Sequence, residues 1–62
     1  MYIPKETDVI VFRGEKYKPF SIGFCSCYIR NIENPKIQYW IPFDAFKVRF
    51  GTITIDTTKI MI

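Results

Sequence analysis

Residues 36–56 read KIQYWIPFDAFKVRFGTITID, and their period points to the fold class. Along Lys36–Ile41, Ile37, Tyr39 and Ile41 share one side, while Lys36, Gln38 and Trp40 share the other. Successive side chains alternate across a strand, so this spacing predicts a strand with a core face and an outward face. Pro42-Phe43-Asp44-Ala45-Phe46 breaks the alternation and reads as one 3-10 turn. Lys47–Phe50 resumes it, with Val48 and Phe50 expected inward and Lys47 and Arg49 outward. Gly51 turns the chain, and Thr52–Asp56 then places Ile53 and Ile55 inward.

The same habit runs through the rest of the chain. Thirty of the 62 residues are β-branched or aromatic, leucine is absent, and Ala45 is the one alanine. Such residues suit a pleated, half-buried surface, and the best helix formers are nearly missing. Upstream, Asp8–Phe12 reads as the first strong strand, apolar on both sides over Val9–Phe12. Arg13-Gly14-Glu15 is a tight turn, and Lys16–Phe20 returns as a shorter strand whose Pro19 suggests an edge or bend. Ser21–Ile29 is a longer strand bent at Gly23, and Asn31–Pro35 closes it onto Lys36–Ile41 as a hairpin. Met1–Thr7 is a lead-in, and Thr57–Ile62 is a tail that adds a strand or covers a barrel end. Short strands at close spacing with turns between them predict one small all-β barrel over residues 1–62. It has five to six short antiparallel strands and one 3-10 turn near residues 42–46.

A chain of this length buries only about 60% of the surface its unfolded form exposes, so its core must be dense. Eleven aromatics supply much of it, each able to bury roughly 150–250 Å². The start at Met1 without a charged-then-apolar leader, and the lack of any apolar run near the roughly 20 residues a bilayer span needs, read as cytoplasmic with no membrane partner. The formal charge of +3, nine Lys/Arg against six Asp/Glu, is mild. It permits nucleic acid or an acidic protein as partner, and solubility alone also accounts for it.

The segment Tyr39-Trp40-Ile41-Pro42-Phe43-Asp44-Ala45-Phe46-Lys47-Val48 resembles the end of an SH3-like barrel. In that family a strand ending in an aromatic–aliphatic–proline triplet enters a 3-10 turn and leaves as the final core strand. The hairpin Ile22–Ile41 fits the family's central strands. The resemblance implies the barrel, and it puts Phe46 at a core position. It does not imply polyproline docking, which needs an aromatic-lined groove. Ala45 stands where a groove tyrosine would sit, and the acidic, tyrosine-rich opening motif is missing.

The chain has no histidine, so the commonest general base is absent. Its acids Glu6, Asp8, Glu15, Glu33, Asp44 and Asp56 are scattered, with no nucleophile motif and no phosphate loop. Cys25 and Cys27 lack further ligands for zinc and read as two small buried hydrophobes. An enzyme is therefore not expected, and neither a cofactor nor a metal.

A non-catalytic binding module is expected instead. With the cysteine side of Ser21–Ile29 inward, Phe24, Tyr28 and Arg30 lie outward beside Lys36, Gln38 and Trp40. These six residues are the candidate binding site, since Trp, Tyr and Arg dominate interface hot spots. The leading expectation is a protein partner, as for a small accessory or inhibitor protein of the kind phages and mobile elements encode. The alternative is nucleic acid, with bases stacked on Tyr28 and Trp40 beside Arg30 and Lys36, and Lys16, Tyr17 and Lys18 as a second run. The termini could instead cover the patch, or a homodimer could bury it.

Overall fold

A computed structural model of the chain describes residues 2–60; Met1 of the lead-in and positions 61–62 of the tail lie outside the described residues. Six strands form one curled sheet, a half-barrel: β1 Ile10–Phe12, β2 Glu15–Phe20, β3 Ser26–Asn31, β4 Gln38–Pro42, β5 Phe46–Arg49 and β6 Thr52–Ile55. Their order across the sheet is β4-β3-β2-β1-β6-β5. The all-β expectation holds, and so does the 3-10 turn, at Phe43–Ala45. A second 3-10 turn, Thr57–Lys59, was not expected; the Asp56 side chain caps it by accepting from the Thr58 N–H. No helix among the described residues is long and apolar enough to cross a membrane.

Two hairpin turns follow from local chemistry. Arg13 and Gly14 have φ of 54° and 78°, and Phe50 and Gly51 have 51° and 79°. Positive φ at both central residues is the condition of a type I′ turn, whose twist matches the flanking strands. Glycine meets that condition freely at the second position of each.

Alternation in β3 and β4 works as the sequence predicts. Cys27, Ile29 and Ile41 are buried, Ile37 and Tyr39 pack half-buried against them, and Tyr28, Arg30, Gln38 and Trp40 face out. Ile10, Phe12, Tyr17, Phe43, Ala45 and Phe46 complete the core. Phe12 meets Tyr17 and Tyr39 edge-on at ring separations of 5.9 and 5.4 Å, the offset geometry that aromatic quadrupoles favour. Asn31 is the one buried polar side chain among the described residues. Its amide donates to the Glu15 carboxylate, and its oxygen accepts from the N–H groups of Glu33 and Asn34, which shapes the β3–β4 turn.

Five expectations need correction. The sheet is not wholly antiparallel, because β1 and β6 pair in parallel through Ile10 and Ile53. The strand after the 3-10 turn is not a core strand: β5 is a sheet edge, and the expected strand that follows it, β6, returns to dock on β1. Val48 and Phe50 are not core residues, at 52% and 101% exposed. β5 has no neighbour beyond it, so alternation gives Val48 a face but nothing to cover it.

Pro19 is not in an edge strand; it is buried in β2, between β1 and β3. The Lys16 carbonyl accepts from Ile32 on the β3 flank, so by alternation Pro19 turns its nitrogen to the β1 flank. Pairing with β1 stops at Ile10–Tyr17, and the missing N–H costs the ladder nothing there. Finally, β3 starts at Ser26 rather than Ser21. Cys25 is consequently exposed, and Ile22 packs against the core instead of facing out.

Candidate recognition face

The registers of β2, β3 and β4 arrange the outward side chains in two rows. Phe20 lies opposite Tyr28, and Tyr28 opposite Trp40. One step along, Lys18 lies opposite Arg30, and Arg30 opposite Gln38. An aromatic row thus runs across three strands, parallel to a polar, cationic row about 7 Å away, two residues along each strand. The Phe20 and Tyr28 rings sit 5.7 Å apart. Arg30 bridges the rows, its guanidinium 4.1 Å from the centre of the Phe20 ring, a contact worth about 0.5–1 kcal/mol at an exposed site.

Of the six candidate residues, the registers bring together Tyr28, Arg30, Gln38 and Trp40. Trp40 is 54% and Tyr28 42% exposed. Phe24 is fully exposed but lies in the bend before β3, where it lines a hollow of about 320 Å³ with Cys25, Trp40, Pro42, Phe43 and Asp44. Lys36 does not join the rows. It lies in the β3–β4 turn, its N–H donating to Asn34 Oδ1, and β4 begins only at Gln38.

Phe20 was missed, although alternation along Lys16–Phe20 carries the signal: Lys16, Lys18 and Phe20 fall on one side, Tyr17 and Pro19 on the other. Tyr17 is accordingly core, not surface, and leaves the basic–aromatic run it was expected to join. Beyond the cationic row, Lys18, Phe20, Arg30, Ile32, Pro35 and Glu6 border a groove of about 420 Å³.

No carboxylate occupies an outward position of the two rows, since Glu15 at the start of β2 is held by Asn31. The lead-in reaches the face only at Glu6, across the groove from Lys18, Phe20 and Arg30; the Tyr2 ring packs instead on Phe46 at 5.6 Å, and its hydroxyl donates to Asp8. Burial, then the Asp8 hydrogen bond, pushes the Tyr2 hydroxyl well above the usual tyrosine value. The same bond, with the Lys5 N–H, holds Asp8 below the usual carboxylate range. Ile60 of the tail packs against the core. Within the described residues, neither terminus covers Trp40.

The two thiols divide sharply. Burial pushes Cys27 up to about 11, which leaves it unreactive at neutral pH, whereas Cys25 is exposed. No group of three His, Cys, Asp or Glu side chains that could hold a metal occurs among the described residues. Compared with protein-family models, curated proteins and solved structures, the chain matches none.

Proposed function

We propose that this chain is a small non-catalytic binding module whose face on β2, β3 and β4 holds single-stranded nucleic acid. The observation that carries the reading is the pair of parallel rows, Phe20–Tyr28–Trp40 and Lys18–Arg30–Gln38. Bases stack on exposed rings irrespective of sequence, and cations alongside follow the phosphates. The lack of outward acids in the rows supports an anionic ligand over an acidic surface's basic counterpart. We read the half-barrel as a variant of the SH3-like barrel, supported by the β3–β4 hairpin running into the Phe43–Ala45 turn; the parallel β1–β6 pair is its departure.

Fluorescence anisotropy with a labelled oligothymidylate tests the proposal, read together with quenching of Trp40. Three cations on the face, Lys16, Lys18 and Arg30, give a log–log salt slope of about −2, at roughly −0.7 for each phosphate neutralised. No binding, or binding indifferent to both salt and Trp40→Ala, overturns it.

A protein partner is the second reading. The hollow between Phe24 and Trp40 favours it, being walled largely by apolar groups and of a size to seat one anchoring side chain.

A further inference from the structure

Strand β4 is the last strand on its side of the sheet, so one row of its backbone groups has no strand to pair with. Which groups these are follows from the bonds on its other flank. Ile37 accepts from the Asn31 N–H, and Phe43 donates to the Cys25 carbonyl, at 2.9 and 2.8 Å. Backbone groups alternate sides along an antiparallel strand, so odd-numbered residues of β4 face β3 and even-numbered ones face outward. The open flank therefore presents the N–H and C=O of Gln38, the N–H and C=O of Trp40, and the C=O of Pro42, which has no N–H. The Gln38 side chain does not cap this flank; its amide donates to the Pro35 carbonyl.

That set of two donors and three acceptors is self-complementary. With β4 of a second copy antiparallel and the two-fold axis at Trp40, the two Trp40 residues exchange a pair of N–H···O=C bonds. Each Gln38 N–H then meets the Pro42 carbonyl of the other copy. Every donor on both edges is satisfied and all five residues of each strand overlap; the missing proline N–H leaves only the Gln38 carbonyl of each copy without a partner in the ladder.

Charge separates this edge from the other one. β4 carries no ionisable side chain except Tyr39, which packs toward the core. β5, the opposite edge, carries Lys47 and Arg49, and antiparallel pairing about Val48 would set lysine against arginine. Like charges directly opposite are destabilising, and exposed cations are a usual device for keeping an edge unpaired. β5 has that charge protection and β4 does not; the one guard on β4 is Pro42 at its end, which removes a single donor.

We infer that the chain forms a two-fold dimer by antiparallel pairing of β4 with β4 of a second copy, centred on Trp40. The indoles of the two copies then meet on the outward face. The aromatic row runs unbroken from Phe20 of one copy, through both Trp40 rings, to Phe20 of the other. The proposal does not depend on what the face binds, but it doubles the length of whatever surface is offered. A five-residue edge is a small interface, so a dissociation constant on the order of micromolar is expected.

Sedimentation equilibrium of the intact chain, with amide hydrogen exchange followed over protein concentration, tests this. The expected result is a mass that doubles with concentration while the Gln38 and Trp40 amides become protected together. Trp40→Asp and Trp40→Lys should each sediment as monomers, and an equimolar mixture should recover the double mass, because the two substituted positions face each other. A native chain that stays monomeric overturns the inference, as does a dimer in which those two amides exchange freely. A dimer that binds no oligonucleotide upholds it while overturning the proposed function. A monomer that binds oligonucleotide does the reverse.

Discussion

The β3–β4 and β5–β6 hairpins lie at opposite ends of one sheet and carry similar alternating sequences, yet they meet opposite fates. In β3–β4 the alternate apolar residues Cys27, Ile29 and Ile41 are almost wholly enclosed. In β5–β6 only Phe46 is buried; Ile53 and Ile55 are half covered, and Val48 is more than half exposed. The difference lies in the surroundings. Residues of β3 and β4 face the concave side, where the 3-10 turn and the rings of Phe12 and Tyr17 close over them. The β5–β6 hairpin is tied to β1 by the single bridge at Ile10 and Ile53, and β5 has no strand beyond it. Period two assigns a side chain to a face, but what lies opposite decides whether that face is dry.

The sharpest way to break this contrast is a matched pair of truncations. Ile29→Ala should cost about 2–5 kcal/mol, enough to unfold much of so small a domain. Val48→Ala should cost below about 1 kcal/mol. Urea denaturation measures both, and equal losses would mean that the β5–β6 end is packed after all.

Next in size is an effect on binding alone. Trp40→Ala should weaken oligothymidylate binding by about 1–3 kcal/mol, as one lost stacking ring does, with little change in the denaturation midpoint. Arg49→Ala, on the other hairpin, should alter neither quantity. Titration of both variants beside the native chain decides whether recognition is confined to the β2–β4 face.

A gain of stability sharpens the comparison from the other side. Phe50 is fully exposed at φ 51°, so its ring contributes no burial while its backbone sits in a region costly for a bulky residue. Phe50→Asn should raise stability by about 1 kcal/mol, since asparagine followed by glycine suits this turn. An unchanged or lower melting temperature would show that the ring has a partner at the hairpin tip.

The smallest effect concerns pH. Asp8, held low by the Tyr2 hydroxyl, contributes stability above the ordinary aspartate value of about 4 and loses it as pH falls through the lowered value. Tyr2, held high, contributes below the ordinary tyrosine value of about 10 and loses its part only well above it. Near-ultraviolet circular dichroism should therefore report an unchanged Tyr2 environment near neutrality and a loosened lead-in under acid. Asp8→Asn should abolish the acid transition while the β3–β4 core stays intact.

Much of this was legible in the residues. The missing leucine, the alternation through Lys36–Ile41 and the proline-led break at Pro42 carry the fold class, the best hairpin and its turn. Tyr28, Arg30, Gln38 and Trp40 were legible as a group because both strands that hold them alternate cleanly. Phe20 was hidden behind Pro19, whose usual place at edges masked an inner strand whose pairing with β1 ends at Tyr17 while its pairing with β3 runs on to Phe20. Lys36 and Phe24 were misassigned because periodicity does not mark where a strand begins. The direction of β6 left no local trace at all, since parallel pairing depends on a partner near the other end of the chain.

That parallel bridge has a kinetic consequence. The stretch from β1 to β4 can zip up through neighbouring turns, and β5 can close on β6 by itself, but Ile10 meets Ile53 only after the whole intervening chain has been brought around. Loop-closure entropy opposes so distant an encounter until both pieces exist to reward it. Joining the two pieces should therefore be the slow event in folding, and the short bridge between them is the seam along which the molecule should first come apart.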